Sequence, residues 1–153
     1  PFAYDSNDKF DPFLLRRRTS GNWDDKQKWE IKTSSGRGIT AGWEPFAYDS
    51  NDEQDPFLLR RSTADNWDNK QKWEIKTSSS LTGKIPEGWE PFGYDYKDDY
   101  DPLLIRRRSS GEWDNKQKWE IQTSSGTIPE GWEPFAYDSN DKSDPFLLRR
   151  RIK

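Results

Sequence analysis

The feature that most constrains this chain is a long internal repeat. The phrase PFAYDSND begins at residues 1, 45 and 134 and its variant PFGYDYKD at residue 91, so successive units span 44, 46 and 43 residues. DPFLLRR or DPLLIRR follows in every unit, KQKWEI begins at residues 26, 70 and 116, and GWEPF joins the units at residues 42, 88 and 131. Self-similarity at such a period is typical of architectures that stack copies of one supersecondary unit. The repeat predicts a single domain, residues 1–153, with units 1–44, 45–90 and 91–133 and a partial unit 134–153.

Short strands are predicted within each unit. KWEIKT alternates Trp, Ile and Thr with Glu and Lys, which is the period of a half-buried strand. WEPFAY is aromatic and extended, and its Pro45 or Pro91 indicates an edge strand or the start of a strand. A turn rich in Asp, Asn and Ser leads to PFLLRR as the return strand of a hairpin. A helix through DNKQKWEIK is the alternative, because several of its residues are good helix formers, but Trp67, Trp73 and Ile75 do not share a helical face. The pattern therefore predicts an all-β repeat fold.

The two ends of the chain carry the same hairpin. Residues 1–18 and 134–151 differ only at Phe10, where the second copy has Ser143. A ring closed by its two ends would need complementary ends. We therefore expect that the chain is cut from a longer array, that one copy lies outside a closed unit, or that copies pair between molecules. A redundant hairpin would expose unpaired strand edges, which favour self-association.

Composition argues against several classes of function. Charged residues make up 35% of the chain and hydrophobic residues 29%, yet nine Trp supply large rings for a small core, which favours order over disorder. A net charge of -3 disfavours binding to nucleic acid or to an anionic membrane surface. No apolar run is long enough for membrane insertion. The absence of Cys and His removes disulfides, thiolate metal sites and the commonest general base. We expect no metal centre and no cofactor.

Catalysis is also disfavoured by the repeat. Carboxylates such as Glu30 and Glu44 recur in every unit, whereas an enzyme site is usually one asymmetric constellation. Equal sites repeated along a chain suit multivalent binding, which gains avidity when the target is repeated too. We therefore expect no catalytic residues.

The three QKW phrases carry a family resemblance. Gln27–Trp29, Gln71–Trp73 and Gln117–Trp119 resemble the Q-x-W signature of ricin-type β-trefoil lectins, and Gly-x-Ile follows two of them at Gly83–Ile85 and Gly126–Ile128. The resemblance implies a three-fold β-trefoil in which an Asp after the next short strand contacts sugar; Asp49, Asp95 and Asp138 stand at that place. Asp65–Trp67 and Gly88–Tyr94 resemble, instead, tachylectin-type β-propeller lectins. Both resemblances imply carbohydrate binding.

Two sets of side chains are candidates for a sugar site. An indole in a loop can stack on the apolar face of a sugar ring, or fold back over the core; the loop indoles are Trp23, Trp67 and Trp113. The first Asp of each turn can bond sugar hydroxyls, act as an ordinary turn residue or help to collect Ca²⁺; these residues are Asp5, Asp49, Asp95 and Asp138. Trp29, Trp73 and Trp119 alternate with Ile and are expected in the core. Each arginine row is expected to face the Asp cluster of a neighbouring unit.

The sequence thus predicts a multivalent carbohydrate-binding protein, trefoil-like or alternatively propeller-like, with one shallow site per repeat. The alternative function is a structural or adhesive repeat protein that mediates protein–protein or self-assembly contacts.

Overall fold

The computed structural model describes residues 1–19, 21–24, 26–79 and 85–153. Gly83, which carries one of the Gly-x-Ile matches, lies outside the described residues. Those described contain strands and no helix. The strands are β1 (Ala3–Tyr4), β2 (Phe13–Leu14), β3 (Trp29–Ser34), β4 (Glu44–Tyr48), β5 (Phe57–Ser62), β6 (Trp73–Ser78), β7 (Glu90–Tyr94), β8 (Leu103–Arg108), β9 (Trp119–Ser124), β10 (Glu133–Tyr137) and β11 (Phe146–Arg151).

The strands form one sheet of two strands and three sheets of three strands, all antiparallel. β1 pairs with β2, and the larger sheets have the orders β3-β5-β4, β6-β8-β7 and β10-β11-β9. The prediction of an all-β fold with internal repeats is confirmed, and each KWEIKT phrase forms a strand as expected.

The PFLLRR strand lies at the centre of each larger sheet, and the apolar side chains in its first half are buried there. Leu59 of β5 and Leu148 of β11 are fully buried. Pro45 lies on β4, which pairs with β5 alone, and the register shifts between Pro45 and Ala47. Proline has no amide hydrogen for a ladder, so it needs an edge or a bulge, and the predicted edge position is confirmed.

Each larger sheet spans a boundary between sequence units. β3 precedes the unit start at Pro45, whereas the hairpin of β4 and β5 follows it. The WEIKTS phrase therefore forms the outer strand of the sheet whose hairpin belongs to the next unit. The connections of each sheet thus tie consecutive units together along the chain.

The four EPFAY-type strands pack side by side around a common axis. β1 contacts β4 and β10, and β7 contacts the same two strands, so the contacts form a closed cycle. The axial cavity is only about 10 Å³ and is lined by four phenylalanines and four arginines, Phe2, Phe46, Phe92, Phe135, Arg16, Arg60, Arg106 and Arg149. Since one water needs about that much space, side chains fill the axis.

The cycle corrects our premise that a ring closed by its two ends needs complementary ends. The two end hairpins are neighbours in it, because β1 lies against β10. Each EPFAY-type strand contacts the preceding EPFAY-type strand on one side and the following one on its other side. Identical hairpins can therefore close the cycle, and complementary ends are not required.

Candidate ligand-binding site

The glutamine of the second and third QKW phrases holds the preceding loop against the indole of the outer strand. Buried Gln117 donates from Nε2 to the Asp114 carbonyl oxygen at 2.9 Å, and its Oε1 accepts from Trp119 Nε1 at 2.7 Å. Gln71 makes the same two bonds to Asp68 and Trp73, at 3.0 and 2.6 Å. Both polar ends of the buried amide are satisfied, as burial requires. The motif thus fixes the indole of the strand relative to the preceding loop.

The loop indoles lean against the neighbouring sheet. Trp113 donates from Nε1 to the Gly88 carbonyl oxygen at 2.7 Å, and its ring meets Trp73 edge-on with centroids 5.4 Å apart. Trp67 does the same with Gly42, at 2.8 Å, and with Trp29 at 5.4 Å. Trp113, Trp67 and Trp23 are all half-buried. The first two therefore join sheets and also keep part of the ring exposed.

A polar cleft of about 490 Å³ opens beside Trp113. Its lining combines two indoles with charged and amide groups: Trp113, Trp119, Glu90, Glu112, Asp114, Gln117 and Arg151. Asp114 and Arg151 form an ion pair, and each side chain is 47% exposed. The cleft therefore presents a rigid aromatic wall next to hydrogen-bond donors and acceptors that solvent can reach.

The equivalent positions are not identical in the three copies. Asp68 beside Trp67 pairs with Arg108 at 2.5 Å, as Asp114 pairs with Arg151. In the first copy, Ser62 stands where the other two have this arginine. The region near Trp67 also borders a second cleft, of about 550 Å³, which has no aromatic lining; it is lined by Glu30, Ala41, Arg61, Ser62, Thr63, Ala64, Asp65 and Asn69.

The predicted turn carboxylates bond to their own turns. The first Asp of each turn accepts a backbone N–H two residues later at 3.0 to 3.1 Å; these are Asp5, Asp49, Asp95 and Asp138. Asp5 also accepts from Ser139 Oγ at 2.8 Å. Within the described part of the chain, no group of three or more acidic side chains is arranged to hold a metal ion.

The two predicted sets lie at opposite ends of the sheets. The turn that holds Asp49 follows the inner strand β4, whereas the loop that holds Trp67 follows the antiparallel middle strand β5. The carboxylate beside each loop indole is the one next to it in sequence, Asp68 or Asp114. Arg108 and Arg151 were not in the predicted set; the signal for them was the third arginine of the RRR rows.

The first arginine of each row pairs with the glutamate of GWEPF and not with the turn Asp cluster we expected. Arg106 bridges Glu44 at 2.7 Å and Glu90 at 2.9 Å, and Arg149 bridges Glu90 and Glu133, each at 2.6 Å. Two further pairs extend this series, Arg60–Glu44 and Arg16–Glu133. We call these residues the Arg–Glu ring. The ion pairs run as a series from Arg16 to Arg60, and Arg60 Nη1 donates to the Pro1 carbonyl oxygen at 2.5 Å, which completes the circuit around the axis.

Ion pairing in the ring controls the charge of the buried glutamates. Burial alone raises the pKa of Glu44, but Arg60 and Arg106 outweigh burial and lower that pKa to about 2. Burial also raises the pKa of Glu90, but Arg106 and Arg149 outweigh burial and lower that pKa. Both carboxylates are therefore ionised at neutral pH.

Compared with protein-family models, with curated proteins and with solved structures, the chain matches none of them. In the ranges described above, no helix is long and apolar enough to cross a membrane. The cleft must therefore be interpreted from its own chemistry.

Proposed function

We propose that the chain is a multivalent carbohydrate-binding protein whose sites are the cleft at Trp113 and the equivalent surface at Trp67. The observation that carries this proposal is the combination in one cleft of two fixed indoles with an exposed Asp114–Arg151 pair. A sugar ring has an apolar C–H face and a rim of hydroxyls, so it needs both kinds of surface at once.

The dimensions and rigidity of the cleft suit this ligand class. Its volume of about 490 Å³ falls within the range of about 300–1,000 Å³ found for small-molecule sites. Hydrogen bonds hold both indoles, so little side-chain entropy is lost on binding. Hydroxyls can donate to Asp114 and accept from Arg151, and charged partners strengthen such bonds. Binding would involve no covalent chemistry.

We also propose a propeller-like arrangement in preference to a three-fold trefoil. Four hairpins in cyclic contact support it, as does an axis filled by side chains. Such an arrangement repeats the loops after the middle strands around one rim. Several weak sites displayed in this way gain avidity on a repeated glycan.

A glycan array tests the proposal. We expect the chain to bind at least one glycan class, and Trp113→Ala and Trp67→Ala to weaken that binding together more than either does alone. Asp114→Asn should also weaken it, because it removes a charged acceptor and keeps the shape. Isothermal titration with the free sugar would measure each loss.

Trp132→Ala is the matched control. Trp132 is a half-buried indole with Arg150 over its ring at 4.6 Å, and it does not line the cleft. Its removal should leave glycan affinity unchanged. The proposal fails if the array shows no binding, or if binding survives loss of Trp23, Trp67 and Trp113 together.

The second candidate function is a repeat protein that contacts other chains or its own copies. Exposed large apolar side chains favour it: Phe10 is 91% and Tyr100 is 83% exposed. We expect light scattering to show assembly that rises with concentration and weakens in a Phe10→Ser, Tyr100→Ser variant. The arginines 149–151 are poor probes for this purpose, because each has an acidic partner within the chain.

A further inference from the structure

The two-stranded sheet leaves unpaired one edge of a strand that pairs on both sides in the other three sheets. In those sheets the middle strand pairs on one side with an EPFAY-type strand and on the other with a WEIKTS or WEIQTS strand. β2 is the equivalent of these middle strands, yet it pairs with β1 alone. Among the residues that the structure describes, no strand pairs with its second edge, so that edge can form a backbone ladder.

Side chains next to this edge lack the cover that their equivalents have. Leu15 is 74% exposed, whereas its equivalents Leu59, Ile105 and Leu148 are each 0% exposed. All four residues have the same sequence neighbours on one side, Phe-Leu or Leu-Leu, and arginine on the other. The difference in exposure therefore reflects the missing strand and not the local sequence.

Two arginines next to the edge lack the partners that an outer strand supplies. Arg61, Arg107 and Arg150 pair with Glu30, Glu74 and Glu120 of their outer strands. Arg17 is their equivalent, and it has no ion-pair partner among the residues that the structure describes. Arg60, Arg106 and Arg149 each lie over an outer-strand indole, at 4.7 to 5.0 Å. Within the same described part, Arg16 lies over Phe2 only.

We propose that the β2 edge binds an extended polypeptide segment of the pattern Trp-Glu-Ile-x-Thr as an added antiparallel strand. The register follows from the complete sheets, in which Arg61 faces Glu30 and Arg60 faces Ile31. The segment's glutamate would face Arg17, its isoleucine would face Arg16 and the following residue would face Leu15. Strand addition of this kind takes affinity from backbone bonds and specificity from alternate side chains.

The occupant is a separate segment and not the β2 edge of a second copy. Pairing of two β2 edges offers no carboxylate to Arg17 and no indole to Arg16. The chain's own WEIKTS and WEIQTS strands are engaged in their own sheets as β3, β6 and β9. The inference does not depend on the carbohydrate-binding proposal, since the β2 edge shares no residue with the Trp113 cleft.

A labelled peptide with the sequence of residues 71–79, QKWEIKTSS, tests the inference on the full chain. We expect saturable binding by fluorescence polarisation, with amide NMR shifts concentrated at residues 13–18. Arg17→Glu should weaken binding about tenfold, because it turns an attractive exposed pair into a repulsive one. A peptide with Lys in place of its Glu should bind the Arg17→Glu chain better than the wild-type chain.

Arg37→Glu is the control. Arg37 is an exposed loop arginine, so this substitution makes the same charge change at a position outside β2. The inference is overturned if the peptide does not saturate, or if Arg17→Glu and Arg37→Glu weaken it equally. It is also overturned if sedimentation shows a dimer held through β2 that the peptide does not dissociate. The test remains valid if Arg17→Glu alters stability, because the peptide with Lys in place of Glu should still bind the Arg17→Glu chain better than the wild-type chain.

Discussion

At the scale of single residues, Gly88 shows why the junction sequence GWEPF begins with glycine. Its φ is +87°, and a Cβ there would lie 2.7 Å from the Asn115 carbonyl oxygen. Its N–H donates to the Gln117 carbonyl oxygen at 2.9 Å, and its own carbonyl accepts the indole of Trp113. Only glycine allows both this backbone conformation and this approach. The junction therefore locks one QKW loop onto the preceding sheet.

Gly131 supplies a matched control for a first prediction. It has the same φ of +87° and the same junction sequence, but a Cβ there would meet no atom within 4 Å. We expect Gly131→Ala to cost about 1–2 kcal/mol from left-handed backbone alone, and Gly88→Ala to cost more. Urea unfolding measures both. Equal losses would show that the contact between Gly88 and Asn115 does not exist.

A sequence can predict some of these residue roles. The GWEPF glycines suggested a junction, but the role of the QKW glutamine was not predicted, because a polar residue between two lysines gives no sign of burial. Gln117 is buried because two partners face its amide, one of them from the next strand. Likewise, the third arginine of an RRR row does not by itself indicate that Arg151 lines the Trp113 cleft, since that contact depends on strand pairing.

At the scale of elements, the position of a strand within its sheet decides its burial. β5 lies between two strands, whereas β2 has one partner. Leu59 and Leu15 occupy the same place in their repeats, yet one is fully buried and the other is 74% exposed. The same phrase therefore contributes differently to stability in the two sheets.

A second prediction follows from this pair. Leu59→Ala should cost about 2–5 kcal/mol, as usual for a buried leucine, whereas Leu15→Ala should stay within about 0.5 kcal/mol. Chemical denaturation followed by Trp fluorescence gives both values. A large loss for Leu15→Ala would mean that the β2 edge is already covered in solution.

The strands themselves were predictable and their pairing was not. Alternation in KWEIKT indicates a strand with one buried face, and β3, β6 and β9 are strands. The buried face was wrong, because no residue of these strands is buried and Ile31 is 41% exposed. Trp29, Trp73 and Trp119, which we expected in the core, are half-buried. Alternation does not indicate which strand is the partner. β3 pairs with β5, the second strand after it in the chain, and not with the next strand, β4. The sheet therefore crosses the unit boundary that the repeat predicted at Pro45.

At the scale of the whole molecule, the Arg–Glu ring joins the sheets and makes stability depend on pH. The folded pKa of Glu44, about 2, lies below its ordinary value of 4.5. A carboxylate with a depressed folded pKa contributes stability above its unfolded pKa, and this contribution is lost as pH falls through the folded pKa. The ring should therefore stabilise the fold fully at neutral pH and progressively less between about pH 4.5 and pH 2.

The third prediction compares two glutamates across this pH window. Glu44→Gln should lower stability at pH 7 by about 3–5 kcal/mol, because it breaks a buried pair, and it should flatten the acid dependence. Glu30→Gln is the control, since Glu30 pairs with Arg61 at the surface and should cost at most about 1 kcal/mol. Melting curves from neutral to acid pH measure both. An unchanged acid profile in Glu44→Gln would contradict the role of the ring.

Closure of the cycle is the central claim about the whole molecule, and a cross-link between the two end hairpins tests it most directly. The Ser6 backbone N–H donates to Ser139 Oγ at 3.1 Å, and the chain has no Cys. In a Ser6→Cys, Ser139→Cys variant, a short bismaleimide should give a monomer linked within one chain, identified by peptide mass mapping at low protein concentration. A Ser6→Cys, Ser109→Cys control should not give this product, because Ser109 follows the far end of β8. Absence of the intramolecular link in the first variant, or equal yield in both, would contradict the closed arrangement.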